Sequence, residues 1–204
     1  QELAARRTGE SFEAWRRGRM VQVAAAWLLS CVFVRVLEDR GLLARHRLAG
    51  PGSEDSQRQF GELAPYLGPR DYLLTLFREL ARLPATAPLF DARHNLVWRL
   101  APSQGGAQAL LDLLRAPQPD APAFRFGQPD TRFLGDLYQD LSDHAKKTYA
   151  LLQTPEFVEE FILDRTLTPA LQEFGYRQVR MIDPTCGSGH FLLGGFQRLV
   201  AQWL

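Results

Sequence analysis

Residues 179–191 read Val-Arg-Met-Ile-Asp-Pro-Thr-Cys-Gly-Ser-Gly-His-Phe, and no other stretch narrows the possible folds so far. Val179, Met181 and Ile182 are spaced like the end of a buried strand. Asp183 and Pro184 break it, Gly187 and Gly189 allow a tight turn, and the apolar run from Phe191 starts a helix. Strand, carboxylate, Gly-x-Gly turn and helix predict a nucleotide-binding corner, with the ligand at the strand's carboxyl end. An ordinary strand-to-helix corner in any α/β protein has the same outline.

The residues around the glycines decide which nucleotide fits. A phosphate-cradling P-loop needs Gly-Lys-Ser/Thr after its second glycine, but His190 and Phe191 follow Gly189. A dinucleotide fingerprint needs Gly or Ala three residues further on, where Leu192 stands. What remains is a turn that admits a ligand closely, beside a carboxylate suited to a cationic amine. S-adenosylmethionine has that chemistry, since its methionine end carries an ammonium and a carboxylate. Asp183 is the expected ammonium partner, and the N–H groups of Gly187, Ser188 and Gly189 the close backbone contacts. Pro184, Thr185, Cys186 and Phe191 complete the expected cofactor-binding turn.

The rest of the chain reads as helices. Residues 11–45 give two helical stretches, with Val23, Trp27, Val32, Val36 and Leu37 inward and Gly41 as a stop. Residues 50–56 read as a loop on composition. Leu73, Leu76, Phe77, Leu80 and Leu83 share one side of a helix over 71–83, and Ser103 starts another carrying Leu110, Leu111, Leu113 and Leu114. Four prolines in 116–130 mark a domain boundary. A strong helix follows over 131–150. Thr154-Pro155 then reads as a helix start, with Thr154 as N-cap and Glu156 and Glu159 favouring the dipole. The N–H groups there would suit a carboxylate, although a plain N-cap explains Thr154 and Pro155 equally well. Thr168-Pro169 repeats the device, and Gly175 closes that helix.

Charge and thiols bound the setting. Residues 1–50 carry nine arginines against five acids, a net +4, which leaves −3 for the remainder of a chain whose total is +1. A basic end of this kind suits nucleic acid, and it equally suits a solvated helix face. Cys31 inside an apolar helix and Cys186 in the glycine turn fit a reducing, cytoplasmic setting better than a disulfide framework. The longest apolar run, Val21 to Val34, spans about 21 Å at ~1.5 Å per residue. A hydrocarbon core needs ~30 Å, so the run is expected to be a buried core helix with no membrane role. The four histidines lack metal-ligand spacing, and no metal is expected.

Asp183-Pro-Thr-Cys-Gly-Ser-Gly-His-Phe-Leu-Leu193 resembles the first motif of N6-adenine DNA methyltransferases, in the branch of type I modification subunits and type IIG enzymes. The likeness is greatest to the large methyltransferase family of bacteriophage-exclusion (BREX) phage-defence systems. Phe133-Leu-Gly-Asp-Leu-Tyr138 resembles the "LGxxYE" helix of that branch. Gln153-Thr-Pro-Glu-Phe-Val158 resembles its "TPxxV" motif, which the family places on the methionine end of the cofactor. The likeness covers 131–204 and reaches back weakly to Val32–Gly41, similar to a helix ending near the amino terminus of these enzymes.

The resemblance implies a mainly α domain over 1–125, then the beginning of an α/β, Rossmann-like, S-adenosylmethionine-dependent methyltransferase domain over 126–204. It implies double-stranded DNA as partner, together with other proteins of a defence or restriction-modification system. Such enzymes flip the target base out of the duplex and orient its amine with an Asn/Asp-Pro-Pro-Tyr/Phe motif. That motif is absent from all 204 residues. No catalytic residue is therefore expected here, and the chain reads as the amino-terminal part of a longer protein, inactive by itself. Transfer to an exocyclic amine is direct displacement, so Cys186 is expected to be a turn residue and no nucleophile. A nuclease of the acidic-x-Lys type is excluded by counting: Lys146 and Lys147 are the only lysines, preceded two positions earlier by His144 and Ala145. Two other functions fit: a helical module that docks protein or DNA without catalysis, and a methyltransferase acting on RNA or protein.

Overall fold

The computed structural model describes residue 9 and residues 11–117, 125–126, 154–187 and 189–204. The expected helix over 131–150, the Phe133–Tyr138 block and Ser188 lie outside them. The chain divides into two compact units, 1–129 and 130–204. The first holds α1 (Phe12–Asp39), α2 (Ser53–Leu63), α3 (Pro69–Leu80), a 3-10 turn at Leu96–Trp98, and α4 (Gln104–Arg115). The second holds α5 (Glu156–Arg165), α6 (Leu167–Phe174) and α7 (His190–Trp203).

One helix, α1, replaces the two expected over 11–45. The Ser11 hydroxyl caps it by accepting from the Ala14 N–H at 3.3 Å, and neither Gly18 nor Ser30 interrupts it. Trp27, Cys31 and Val34 form its buried stripe at helical spacing. They join Leu73, Leu76, Phe77 and Leu80 of α3 and Ala107, Leu111 and Leu114 of α4 in one cluster. The Trp27 and Phe77 rings lie 5.5 Å apart, Phe77 stacks on Phe90 at 5.2 Å, and Trp27 Nε1 donates to the Leu100 carbonyl at 2.9 Å. Each large apolar side chain so buried stabilises by about 1.5–3 kcal/mol. By length and composition α1 is long and apolar enough to cross a membrane, but its apolar stripe is occupied by this core.

The carboxyl end of α1 carries a buried ionic network. Arg35 pairs with Glu38 at 2.7 Å and with Asp39, and donates to the Ala49 carbonyl at 3.0 Å. Glu38 accepts from the backbone N–H groups of Arg47 (2.5 Å), Leu48 (2.8 Å) and Ala49 (3.4 Å). Asp39 accepts from the Phe126 N–H at 3.0 Å. The loop after α1 is thus fastened to the helix by carboxylates that satisfy otherwise orphaned donors.

Other boundaries differ from expectation. The loop expected at 50–56 ends at Gly52, and α2 begins at Ser53; its sequence is polar nearly all round, so periodicity carries no signal there. Helix α3 starts at Pro69, because the Asp71 carboxylate accepts from the Gly68 N–H at 3.1 Å and closes the first turn. It ends at Leu80, short of the expected Leu83. Helix α4 follows Ser103 as expected, with the Gly106 N–H donating to its hydroxyl at 3.1 Å.

In the second unit, Pro155 takes the N-cap place expected for Thr154, and no side chain caps α5. Helix α6 begins at Leu167, one residue before Thr168, whose hydroxyl is engaged by Arg198 at 2.6 Å. Val179–Ile182 form no strand, and Ile182 is 87% exposed. A strand is defined by its ladder to a neighbour, and no described residue pairs with this segment.

Candidate functional site

The turn after Ile182 is built as the glycines demand. Asp183 Oδ1 accepts from the Thr185 N–H at 3.2 Å, an Asx-turn that starts the bend. The Gly189 N–H donates to the Cys186 carbonyl at 2.7 Å and closes it. Gly187 has φ +55° and Gly189 φ +85°, the left-handed region that side chains avoid. Gly189 is also the N-cap of α7, with no side-chain cap. Pro184, Thr185, Cys186 and Gly187 are exposed along this turn.

Beside the turn lies an open hollow of about 460 Å³. Leu163, Thr166 and Leu167 wall one side, Val179, Met181 and Asp183 another, and Phe191 of α7 closes it. Asp183 Oδ2 is shielded from solvent and has no hydrogen-bond partner among the described residues. A shielded carboxylate oxygen lacking a donor is costly unless a ligand supplies one. Its position fits a cationic, donating group such as an ammonium. The residues present therefore match the methionine end of S-adenosylmethionine in two respects: an orphaned acceptor and a backbone turn clear of side chains.

Of the expected site residues, Asp183, Pro184 and Phe191 line the hollow together. Thr185, Cys186, Gly187 and Gly189 belong to the adjoining turn, and Thr154 and Pro155 are not among the residues that line the hollow. The walls Leu163, Leu167 and Met181 have no signature in the sequence motif. Nor does the packing that holds them. A β-carbon on Gly194 would collide with Glu159 Oε1, and one on Gly195 would stand 2.7 Å from Met181 Sδ. The paired glycines of α7 thus let it approach both α5 and the 179–183 segment. Arg198 then ties α7 to Glu160 (2.6 Å) and Asp164 (2.5 Å) of α5. Adjacent glycines inside an apolar helix are the one signal that points to this approach. Among the described residues no group of His, Cys, Asp or Glu is arranged to hold a metal ion.

No protein-family model matches the chain, and no solved structure matches it significantly. The chain is 46% identical, over 210 aligned positions, to the adenine-specific methyltransferase PglX of Streptomyces coelicolor. The alignment takes in 95% of this chain and 17% of that relative, so the chain spans about a sixth of the relative's length. Identity at this level over nearly every residue bears out the resemblance carried by the Asp183–Phe191 motif. The chain is accordingly similar to one part of an adenine-specific methyltransferase.

Proposed function

We propose that the chain contributes the S-adenosylmethionine-binding corner of a site-specific DNA adenine-N6 methyltransferase acting in the cytoplasm in phage defence. The single observation that carries this is Asp183: one oxygen shapes the glycine turn while the other is shielded, unpartnered and beside a hollow. When bound, the cofactor would supply an electrophilic methyl group. Asp183 would hold its ammonium, the N–H groups of Gly187 to Gly189 would approach its backbone-facing edge, and Phe191 would pack against its apolar part. Thr154 and Pro155 would open α5, whose first-turn N–H groups would be the donors to its carboxylate. The start of a Rossmann-like domain follows from the same proposal, with Val179–Ile182 as a strand awaiting partners. Double-stranded DNA and other defence proteins would be the macromolecular partners. The Asn/Asp-Pro-Pro-Tyr/Phe motif that would orient the target amine is not among these 204 residues.

Calorimetry of S-adenosylmethionine with the full-length natural protein tests it. Binding should weaken at least tenfold on Asp183→Ala, because an uncompensated ammonium loses a charge-assisted hydrogen bond. Absence of heat with the unaltered protein, or equal affinity in the variant, would refute it.

A further inference from the structure

The first three turns of α1 have no part in the core of their unit. The buried stripe begins at Ala25 and Trp27, while Phe12 and Met20 are more than half exposed and Val21 is exposed beside them. These turns carry three arginines, Arg16, Arg17 and Arg19, against one acid, Glu13. Arg16 and Arg17 are exposed, and among the described residues no carboxylate pairs with either. Arg19 is held in place: its Nη1 donates to Gln22 Oε1 at 3.2 Å, and its guanidinium sits 6.0 Å from the Trp15 ring. Phe12 stacks with the same Trp15 ring, the centroids 6.1 Å apart.

We infer that this part of α1 is a docking surface for the phosphate backbone of duplex DNA, with Arg16, Arg17 and Arg19 as the phosphate contacts. The choice of occupant rests on charge and on the proposed methyltransferase function. A second copy of the chain would bring the same cations against each other. At roughly 100° per residue the three arginines fan over about 160° of the helix, so they reach more than one phosphate. Guanidinium groups bind phosphate oxygens in a forked geometry, which a stacked and oriented Arg19 makes cheaper to form. Phosphate contacts carry no sequence information, so the interaction should be indifferent to sequence.

The test uses the full-length protein and a fluorescein-labelled duplex of arbitrary sequence, titrated by anisotropy from low to physiological salt. Each phosphate that is no longer neutralised should reduce the slope of log K against log salt by about 0.9. Arg16→Gln/Arg17→Gln/Arg19→Gln is therefore expected to lower the slope by roughly 2 to 3, and affinity by tenfold or more at low salt. Its melting temperature should not move, since all three lie outside the core. An unchanged slope and affinity would overturn the inference and leave an acidic protein as the occupant; so would failure of the unaltered protein to bind the duplex. The methyltransferase proposal fails separately, through loss of S-adenosylmethionine binding, which this variant should retain in full.

Discussion

Gly194 of α7 and Glu159 of α5 approach so closely that a methyl group on the glycine would overlap the carboxylate and stand 2.9 Å from a Leu163 methyl. Glu159 and Leu163 are both almost completely buried, so neither can swing into solvent to make room. Overpacking of this kind costs about 1–3 kcal/mol. Alanine gains about 1 kcal/mol over glycine in helix propensity, which offsets only part of that. Gly194→Ala should therefore destabilise the second unit by up to about 2 kcal/mol in urea denaturation. A gain in stability would mean that the two helices are packed more loosely than described. Because Leu163 walls the hollow, the same variant should also weaken S-adenosylmethionine binding.

Glu38 supports a different prediction. It is buried, accepts three backbone N–H groups from 47–49, and neutralises a buried Arg35. Removing one member of such a pair leaves an uncompensated charge and typically costs about 3–5 kcal/mol. Glu38→Ala should thus consume much of the ~5–15 kcal/mol expected of a domain, as read by urea denaturation. Glu38→Gln keeps an acceptor and should cost less. Equal effects of the two variants would show that the charge itself is unimportant.

Much of the first unit is legible in the sequence because its helices bury one stripe: Leu73, Leu76, Phe77 and Leu80 stand at helical spacing and are all buried. Helix α2 is not legible, since it gives the core one aromatic ring, Phe60 edge-on to Tyr72 at 5.4 Å, and otherwise polar contacts such as Gln57 to Gln108 at 3.0 Å. The weak likeness over Val32–Gly41 gains a physical cause, because Arg35, Glu38 and Asp39 fasten distant loops. At the site, Asp183 and the positive φ of Gly187 and Gly189 follow from residue type and order. The walls do not, because Leu163, Leu167 and Met181 meet through Gly194 and Gly195, and that closeness is a tertiary fact. Val179–Ile182 read as a buried strand on apolar content alone, whereas a strand also needs a neighbour to pair with.

Asp71 should make the first unit acid-sensitive. Hydrogen bonds from the Gln104 amide and then the Gly68 N–H hold its carboxyl below the ordinary 3.8. A folded value below the unfolded one means that its stabilisation is complete above the ordinary value. It is lost as pH falls from there through the folded value. The melting temperature of the unaltered protein should therefore drop more steeply between about pH 5 and the acid limit than that of Asp71→Asn. At neutral pH the variant should be less stable, because a neutral amide oxygen accepts from Gly68 and Gln104 more weakly than a carboxylate does. Parallel pH profiles would refute the assignment.

The two thiols should report on core and site separately. Burial, reinforced by the nearby negative charge of Glu38, raises the Cys31 thiol far above its ordinary value. The thiolate is the reactive form, so Cys31 should resist alkylation until the first unit unfolds. Cys186 is exposed in the turn, with its sulfur 3.8 Å from the Gly187 carbonyl. Native protein of this sequence should consequently show one fast thiol towards a maleimide, and two in denaturant. If the glycine turn grips S-adenosylmethionine, saturating cofactor should slow the Cys186 reaction several-fold in the full-length protein, with the labelled site read by mass spectrometry. Cys186→Ala should bind cofactor with nearly unchanged affinity, because the turn depends on backbone geometry and on Asp183 and not on the thiol. Labelling that is indifferent to cofactor, alongside normal binding by calorimetry, would move the ligand away from this turn.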